Sequence, residues 1–285
     1  MDTILAAGFL LALSVFLAIV LAIANNKLKV FEDPRIDKVA EMLPGVNCGA
    51  CGSPGCTAFS EKVVSGEALP GECPVGGAET AAFIASFLGI DVGIIEKTVA
   101  RLLCAGGSDV ALQAAEYEGY ASCRSAAVVA GGAKGCTYGC LGLGDCREAC
   151  TFDAIFMAEN DLPVVLQEKC TSCGDCVTIC PKGLFEILPL SQHLLVQCKS
   201  LLAGEGALEQ CRVACTGCGI CRADAPNGLI EIKNNLAVID PAQIDLQTEL
   251  ATLRCPTGSI KWTGKQQFVE LRRARSAGRD VGVDT

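Results

Sequence analysis

The side chains that could do chemistry in this chain are thiols. Its 285 residues include 20 cysteines and one histidine, His193. The multi-histidine sites of zinc hydrolases and non-haem iron oxygenases are therefore excluded, and thiolates must carry any metal or redox chemistry. The first group, Cys48, Cys51, Cys56 and Cys73, has the spacing C-x2-C-x4-C-x16-C. Gly49, Gly52, Pro54 and Gly55 let the backbone wrap a compact centre, and a short helix is expected over 57–65, ending at Gly66. Ligand type alone leaves tetrahedral zinc and an iron–sulfur cluster equally open here.

A second group decides between them. Cys170, Cys173, Cys176 and Cys180-Pro181 follow C-x2-C-x2-C-x3-C-P, the bacterial ferredoxin run, at every position. A looser partner lies upstream: Cys136, Cys140, Cys146 and Cys150. In two-cluster ferredoxins three cysteines of a run hold one cubane and the fourth ligates the other. The expected sets are therefore Cys136, Cys140, Cys146 and Cys180 for one 4Fe-4S cluster, and Cys150, Cys170, Cys173 and Cys176 for its neighbour.

An internal repeat makes the third group legible. An offset of 75 residues superposes Cys136 on Cys211, Cys140 on Cys215, Cys146 on Cys221 and Cys180-Pro181 on Cys255-Pro256. In the second copy Cys150 becomes Ala225, and Cys170, Cys173 and Cys176 become Asp245, Thr248 and Ala251, so one cluster's ligands are missing together. The survivors predict a single 4Fe-4S cluster on Cys215, Cys218, Cys221 and Cys255. Cys218 completes C-x2-C-x2-C there; the first copy has Leu143 at that place and is expected to use Cys136. Four clusters are thus predicted, and Cys104, Cys123, Cys198 and Cys211 are expected to be buried free thiols.

The elements around these groups must position them. Residues 78–104 read as two helices broken at Gly89, and 127–135, with Gly131-Gly132, as a hinge. No nucleotide site emerges: Gly131–Gly135 lacks P-loop spacing, and Gly142-Leu-Gly144 lacks the last glycine of a dinucleotide fingerprint. His193 is expected on the surface or half-buried. The run Ile4–Ala24 is long enough to cross a bilayer; a cleaved signal peptide is the rival, but the segment before it holds Asp2 and no base. Lys27, Lys29, Arg35 and Lys38 follow, which places the remainder in the cytoplasm and makes a disulfide framework unexpected. The formal net charge is −9; residues 30–260 hold 28 acids and 15 bases, while 261–285 hold six bases and three acids. That balance disfavours nucleic acid as a partner, and the basic tail reads as a solvated helix face.

Together these residues resemble the B subunit of the Rnf complex, a membrane-bound, ion-translocating ferredoxin:NAD oxidoreductase. The resemblance rests on the N-terminal apolar run, Glu32-Asp-Pro-Arg-Ile36, Val46-Asn-Cys-Gly-Ala-Cys-Gly52 with Pro54-Gly-Cys56, Gly135-Cys-Thr-Tyr-Gly-Cys140 and the ferredoxin run. It implies electron entry from soluble reduced ferredoxin, other membrane and peripheral subunits as partners, NAD bound on another subunit, and a single-pass location in a bacterial cytoplasmic membrane. A membrane-anchored polyferredoxin serving a different oxidoreductase is the alternative. The expected fold class is α+β: a transmembrane anchor (1–26), a small, mostly helical 4Fe-4S domain (27–90), a helical connector (91–134), a two-cluster ferredoxin-like module of βαβ type (135–190), a one-cluster copy (191–262) and a basic tail (263–285).

Overall fold

The computed structural model describes residues 2–27, 33–93, 96–264, 266–268 and 270, with the side chains of the first helix described over 8–23. That helix, α1 (Asp2–Lys27), leaves Phe9, Leu10, Phe16 and Leu21 exposed. Among the described residues no helix is long and apolar enough to cross a membrane. Lys29, Lys265, Arg272, Arg273, Arg275 and Arg279 lie outside the described residues.

Three helices build the unit that follows. Helix α2 (Pro34–Met42) starts where Pro34 presets the first turn and the Asp33 carboxylate accepts the Arg35 N–H at 2.9 Å. Helices α3 (Cys56–Ser65) and α4 (Gly77–Leu88) pack on it through Val39, Leu43, Phe59, Val63 and Ile84, all buried. One apolar face per helix suffices for this small core.

The first ferredoxin-type module begins earlier than expected. After Gly89 the chain does not form a second helix; Thr98–Leu102 is strand β1, its β-branched start suited to the extended pairing it makes. The expected helical connector over 91–134 is corrected accordingly: it holds β1, irregular chain and one short helix, α5 (Cys123–Val128). Then come α6 (Asp145–Glu148), β2 (Ile155–Met157), β3 (Pro163–Val165), α7 (Asp175–Ile179) and β4 (Phe185–Pro189). Strand β1 pairs antiparallel with β4, Leu102 opposite Phe185, and β2 pairs with β3, Ile155 opposite Val165. Nor is 127–135 a free hinge: Ala114 and Ala115 both donate to Ala133 O, and Gly135 N–H donates to Leu112 O at 2.8 Å.

The second module repeats the plan with β5 (Leu194–Val196), α8 (Gly204–Gln210), α9 (Ile220–Asp224), β6 (Ile230–Lys233), β7 (Leu236–Ile239), α10 (Leu250–Leu253) and β8 (Ile260–Trp262). Strand β5 pairs with β8, Val196 opposite Ile260, and β6 pairs with β7 across the left-handed pair Asn234-Asn235, a two-residue hairpin turn. All four ladders are antiparallel, so the expected βαβ character survives only as element order: the strands flanking each helix join different ribbons. Each module closes around its own core, Leu162, Leu184 and Phe185 in the first, Leu194, Leu229 and Ile260 in the second.

The start of the expected tail is not a solvated face. Gln267 pairs with Leu102 as a strand would, accepting its N–H at 3.1 Å and donating to its carbonyl at 2.7 Å, and Gln266 donates to Val165 O.

Candidate metal centres

The structure brings the cysteines together in fours. Cys48, Cys51, Cys56 and Cys73 line one recess with Leu43, Val46 and Phe59. Its entry loop is pinned by Asn47, whose side-chain oxygen accepts the Cys56 N–H at 2.8 Å. In the first module, Cys150, Cys170, Cys173 and Cys176 line a second recess between the β2–β3 ribbon and the loop leading into α7. In the second module, Cys215, Cys218, Cys221 and Cys255 line a third, with Cys218 the exposed member.

The other recess of the first module departs from the expected set at one position. Cys140, Cys146 and Cys180 are joined by Cys123, not Cys136. Asp145 explains the substitution: its carboxylate accepts the N–H groups of Cys123 (2.8 Å) and Arg124 (3.2 Å) and the Ser122 hydroxyl (3.0 Å), holding the first turn of α5 against α6. Cys123 thus fills the place that Leu143 leaves empty relative to Cys218. Cys136 is held elsewhere, because the Gly135–Leu112 hydrogen bond and the Gln113–Lys134 bridge tie its segment to residues 111–113, which also pair with Cys211. It lines a further recess with Cys104, Cys198 and Cys211, three of the thiols expected to be isolated. No local spacing connects 104, 136, 198 and 211, so sequence reasoning had no motif to find them by. His193 sits away from every recess, its Nδ1 2.9 Å from Thr263 O and its ring against Trp262.

Electrostatics favour a cationic centre in these recesses. Burial, then repulsion between neighbouring thiolates, pushes Cys140 and Cys176 up to about 12 and Cys146 higher still. Cys221 is driven up to about 11, again chiefly by burial. Such thiols give up protons to a metal rather than to water. Cys255 is the exception: burial would raise it, but the Ile260 N–H and the hydroxyls of Ser259 and Thr257 bring it down to about 7. The repulsion on Cys146 comes from Cys176 as well as from its own set, so the two recesses of the first module adjoin.

The residues fit a polynuclear sulfide-bearing group. A zinc thiolate site needs four sulfurs each ~2.3 Å from one centre. Among the described residues no three His, Cys, Asp or Glu side chains converge in that way; the thiols stand around recesses of about 330 to 390 Å3 instead. Orphaned donors point the same way. All three guanidinium nitrogens of Arg101, on β1 and 1% exposed, lack a hydrogen-bond partner among the described residues, as do Gln167 Nε2 and Thr171 Oγ1. Arg101 does not line the Cys150–Cys176 recess, as its neighbour Ala100 does, but is near enough to feel the Cys170 sulfur; Thr171 lines that recess. An unpaired buried cation is costly; an anionic cluster held by Cys150, Cys170, Cys173 and Cys176 would supply the missing counter-charge.

Ferredoxin-type modules with four-thiol recesses define an iron–sulfur protein, and comparison with known proteins agrees. Residues 43–75 match a family model described as "Putative Fe-S cluster", and 162–185 match one described as "4Fe-4S binding domain". The chain is 46% identical over 233 residues to the B subunit of the Na(+)-translocating ferredoxin:NAD(+) oxidoreductase complex of Acetobacterium woodii, covering 82% of this chain and 70% of that one. It is 37% identical to the B subunit of the proton-translocating ferredoxin:NAD(+) oxidoreductase complex of Clostridium ljungdahlii, over 85% of this chain and 86% of that one. With the B subunit of the ion-translocating oxidoreductase complex of Methanosarcina acetivorans it shares 40% identity, over 68% and 74% of the two chains. The chain belongs to this family, the B subunits of ion-translocating ferredoxin:NAD oxidoreductase complexes.

Proposed function

We propose that this chain is the electron-entry subunit of an Rnf-type complex, taking electrons from reduced soluble ferredoxin and handing them to partner subunits, one of which binds NAD. The observation that carries this reading is the succession of four-thiol recesses in a chain that shares 46% identity with the B subunit of a ferredoxin:NAD(+) oxidoreductase complex. A bound 4Fe-4S cubane supplies reversible one-electron transfer.

The chain's own residues hold and tune such groups. Cys48, Cys51, Cys56 and Cys73 ligate one cubane; Cys123, Cys140, Cys146 and Cys180 a second; Cys150, Cys170, Cys173 and Cys176 a third; Cys215, Cys218, Cys221 and Cys255 a fourth. Backbone N–H groups reach the ligand sulfurs, Ala154 to Cys150 at 3.3 Å and Leu184 to Cys180 at 3.5 Å, and Arg101 offsets charge beside Cys170. Such donors favour the reduced, more negative state. The chain has no G-x-G-x-x-G turn for a dinucleotide, in keeping with NAD being held elsewhere. Helix α1, with its exposed apolar side chains, serves as the membrane anchor, and the bases that follow the run Ile4–Ala24 keep the cluster-bearing units on the cytoplasmic side.

The test uses the full chain purified anaerobically in detergent. Reduced ferredoxin should bleach its visible absorption, and added NAD should stay oxidised. Stoichiometric zinc in place of iron, or NADH formed by the isolated chain, would overturn the reading.

A further inference from the structure

The recess lined by Cys104, Cys136, Cys198 and Cys211 lies between the two ferredoxin-type modules, and each module contributes the same two positions to it. Cys136 and Cys211 are related by the 75-residue repeat, each four residues before a ligand of its own module's recess, Cys140 or Cys215. Cys104 and Cys198 are related by strand register. Leu102 opposes Phe185 and Val196 opposes Ile260; Phe185 and Ile260 are repeat equivalents, so Cys104, two residues after Leu102, corresponds to Cys198, two residues after Val196.

The surrounding hydrogen bonds obey the same pseudo-symmetry. Leu103 N–H donates to Leu184 O as Gln197 N–H donates to Ser259 O, at 2.8 and 2.7 Å. Cys140 N–H approaches Cys104 Sγ at 3.5 Å as its repeat equivalent Cys215 approaches Cys198, and Ser200 N–H approaches Cys198 Sγ at 3.4 Å as Gly106 approaches Cys104. The halves are also joined directly: Ala105 N–H donates to Gln197 O at 3.0 Å, and Ala111 bridges Cys211.

We propose that Cys104, Cys136, Cys198 and Cys211 hold a fifth 4Fe-4S cluster, shared by the two modules across their internal pseudo-twofold. The inference rests on the reading of the other recesses as cubane sites. The recess, about 350 Å3 with its open mouth included, lies within the range of the other four, 330 to 390 Å3 on the same measure. A Cβ on Gly106 would come within 3.0 Å of Cys211 Sγ, so the glycine leaves the thiol its room. Lys134 is buried at this recess with its ammonium donating to Gly106 O at 2.7 Å. Four thiolates on a cluster core of charge +2 leave −2, and one added electron makes −3; the lysine offsets part of that charge. The position gives the site a role: between the Cys123–Cys180 and Cys215–Cys255 recesses, it accepts one electron from one module's cluster and releases one to the other's, with no proton and no bond made or broken.

The full chain, purified anaerobically in detergent, should contain about twenty iron and twenty sulfide per polypeptide, and native mass spectrometry should show five cubanes. About sixteen iron with four cubanes would overturn the fifth site and leave the electron-entry reading intact, whereas absence of iron would sink both. Replacing Cys104 and Cys198 together by alanine should remove about four iron and one EPR-active cluster while the remaining signals persist. Retention of all twenty iron in that variant would overturn the proposal. Should the variant lose every cluster, the mass of the wild-type chain decides between five and four.

Discussion

Cys123 and Cys136 separate two models of the same cluster. Both precede Cys140, and only the Asp145-anchored turn of α5 brings one of them to Cys146 and Cys180. Cys123→Ala should abolish the EPR signal of the Cys140–Cys146–Cys180 cluster, and Cys136→Ala should spare it; the reverse pattern would restore the ligand set suggested by spacing. Arg101 makes a second residue-level case. Its buried guanidinium has no hydrogen-bond partner among the described residues and lies within electrostatic reach of Cys170. Arg101→Gln removes that positive charge, so the cluster on Cys150, Cys170, Cys173 and Cys176 should drop in reduction potential by on the order of 50–100 mV, the one-electron equivalent of roughly 1–2 kcal/mol. A potentiometric EPR titration showing no shift would remove Arg101 from the site.

Among the elements, the strands that border the modules matter most. Strand β1 comes from a stretch that reads as connector, yet it completes the sheet with β4 and carries Arg101. A fragment of residues 120–190 keeps every ligand of the two clusters, Cys123 included, but lacks β1 and the Gln267 pairing, and should fail to retain them; a fragment of 97–270 should hold them. About eight iron in the shorter fragment would show that β1 is dispensable. Loop-to-hairpin contacts are as demanding. Gly217, at φ +69°, lies so close to the β6–β7 turn that a Cβ would stand 2.8 Å from Asn235 O, and Gly142, its repeat equivalent, meets Asp161 the same way at φ +76°. Gly217→Ala should therefore cost more than about 1 kcal/mol and lower the midpoint of thermal bleaching. Gly206→Ala, in α8 with open space around it, should not.

At the scale of the whole molecule, α1 is apolar all round, and the cysteines all lie in the units that follow it. Phe9, Leu10, Phe16 and Leu21 stay exposed, and none of the 20 cysteines lies in this helix. Deleting residues 2–27 should yield a soluble, coloured protein with its iron content unchanged, whereas the full chain should sediment with membranes. A full chain recovered in the soluble fraction would refute the anchor. Coupling between the modules belongs to this scale too: Lys199 of the second meets Glu186 of the first at 2.7 Å, and backbone bonds join 105 to 197 and 112 to 210.

Cysteine groups whose members are close along the chain were legible before any fold was known. In C-x2-C-x2-C a single short loop wraps its centre, and the geometry of a few peptide units decides where three sulfurs go. The duplication and the loss of one ligand set in the second copy were legible as well, because they compare residues at one fixed offset. Packing in three dimensions settled the rest. Cys123 replaces Cys136 because a carboxylate 22 residues away anchors its helix. Thr98–Leu102 becomes a strand because β4 offers it an unpaired edge, and Gln267 docks on Leu102 across 165 residues. Cys104, Cys136, Cys198 and Cys211 meet because strand register places equivalent positions of two modules face to face. Ligands so far apart in the chain leave no spacing to read: their distances are set by the packing of the sheets that carry them, and those sheets exist only once both modules have folded.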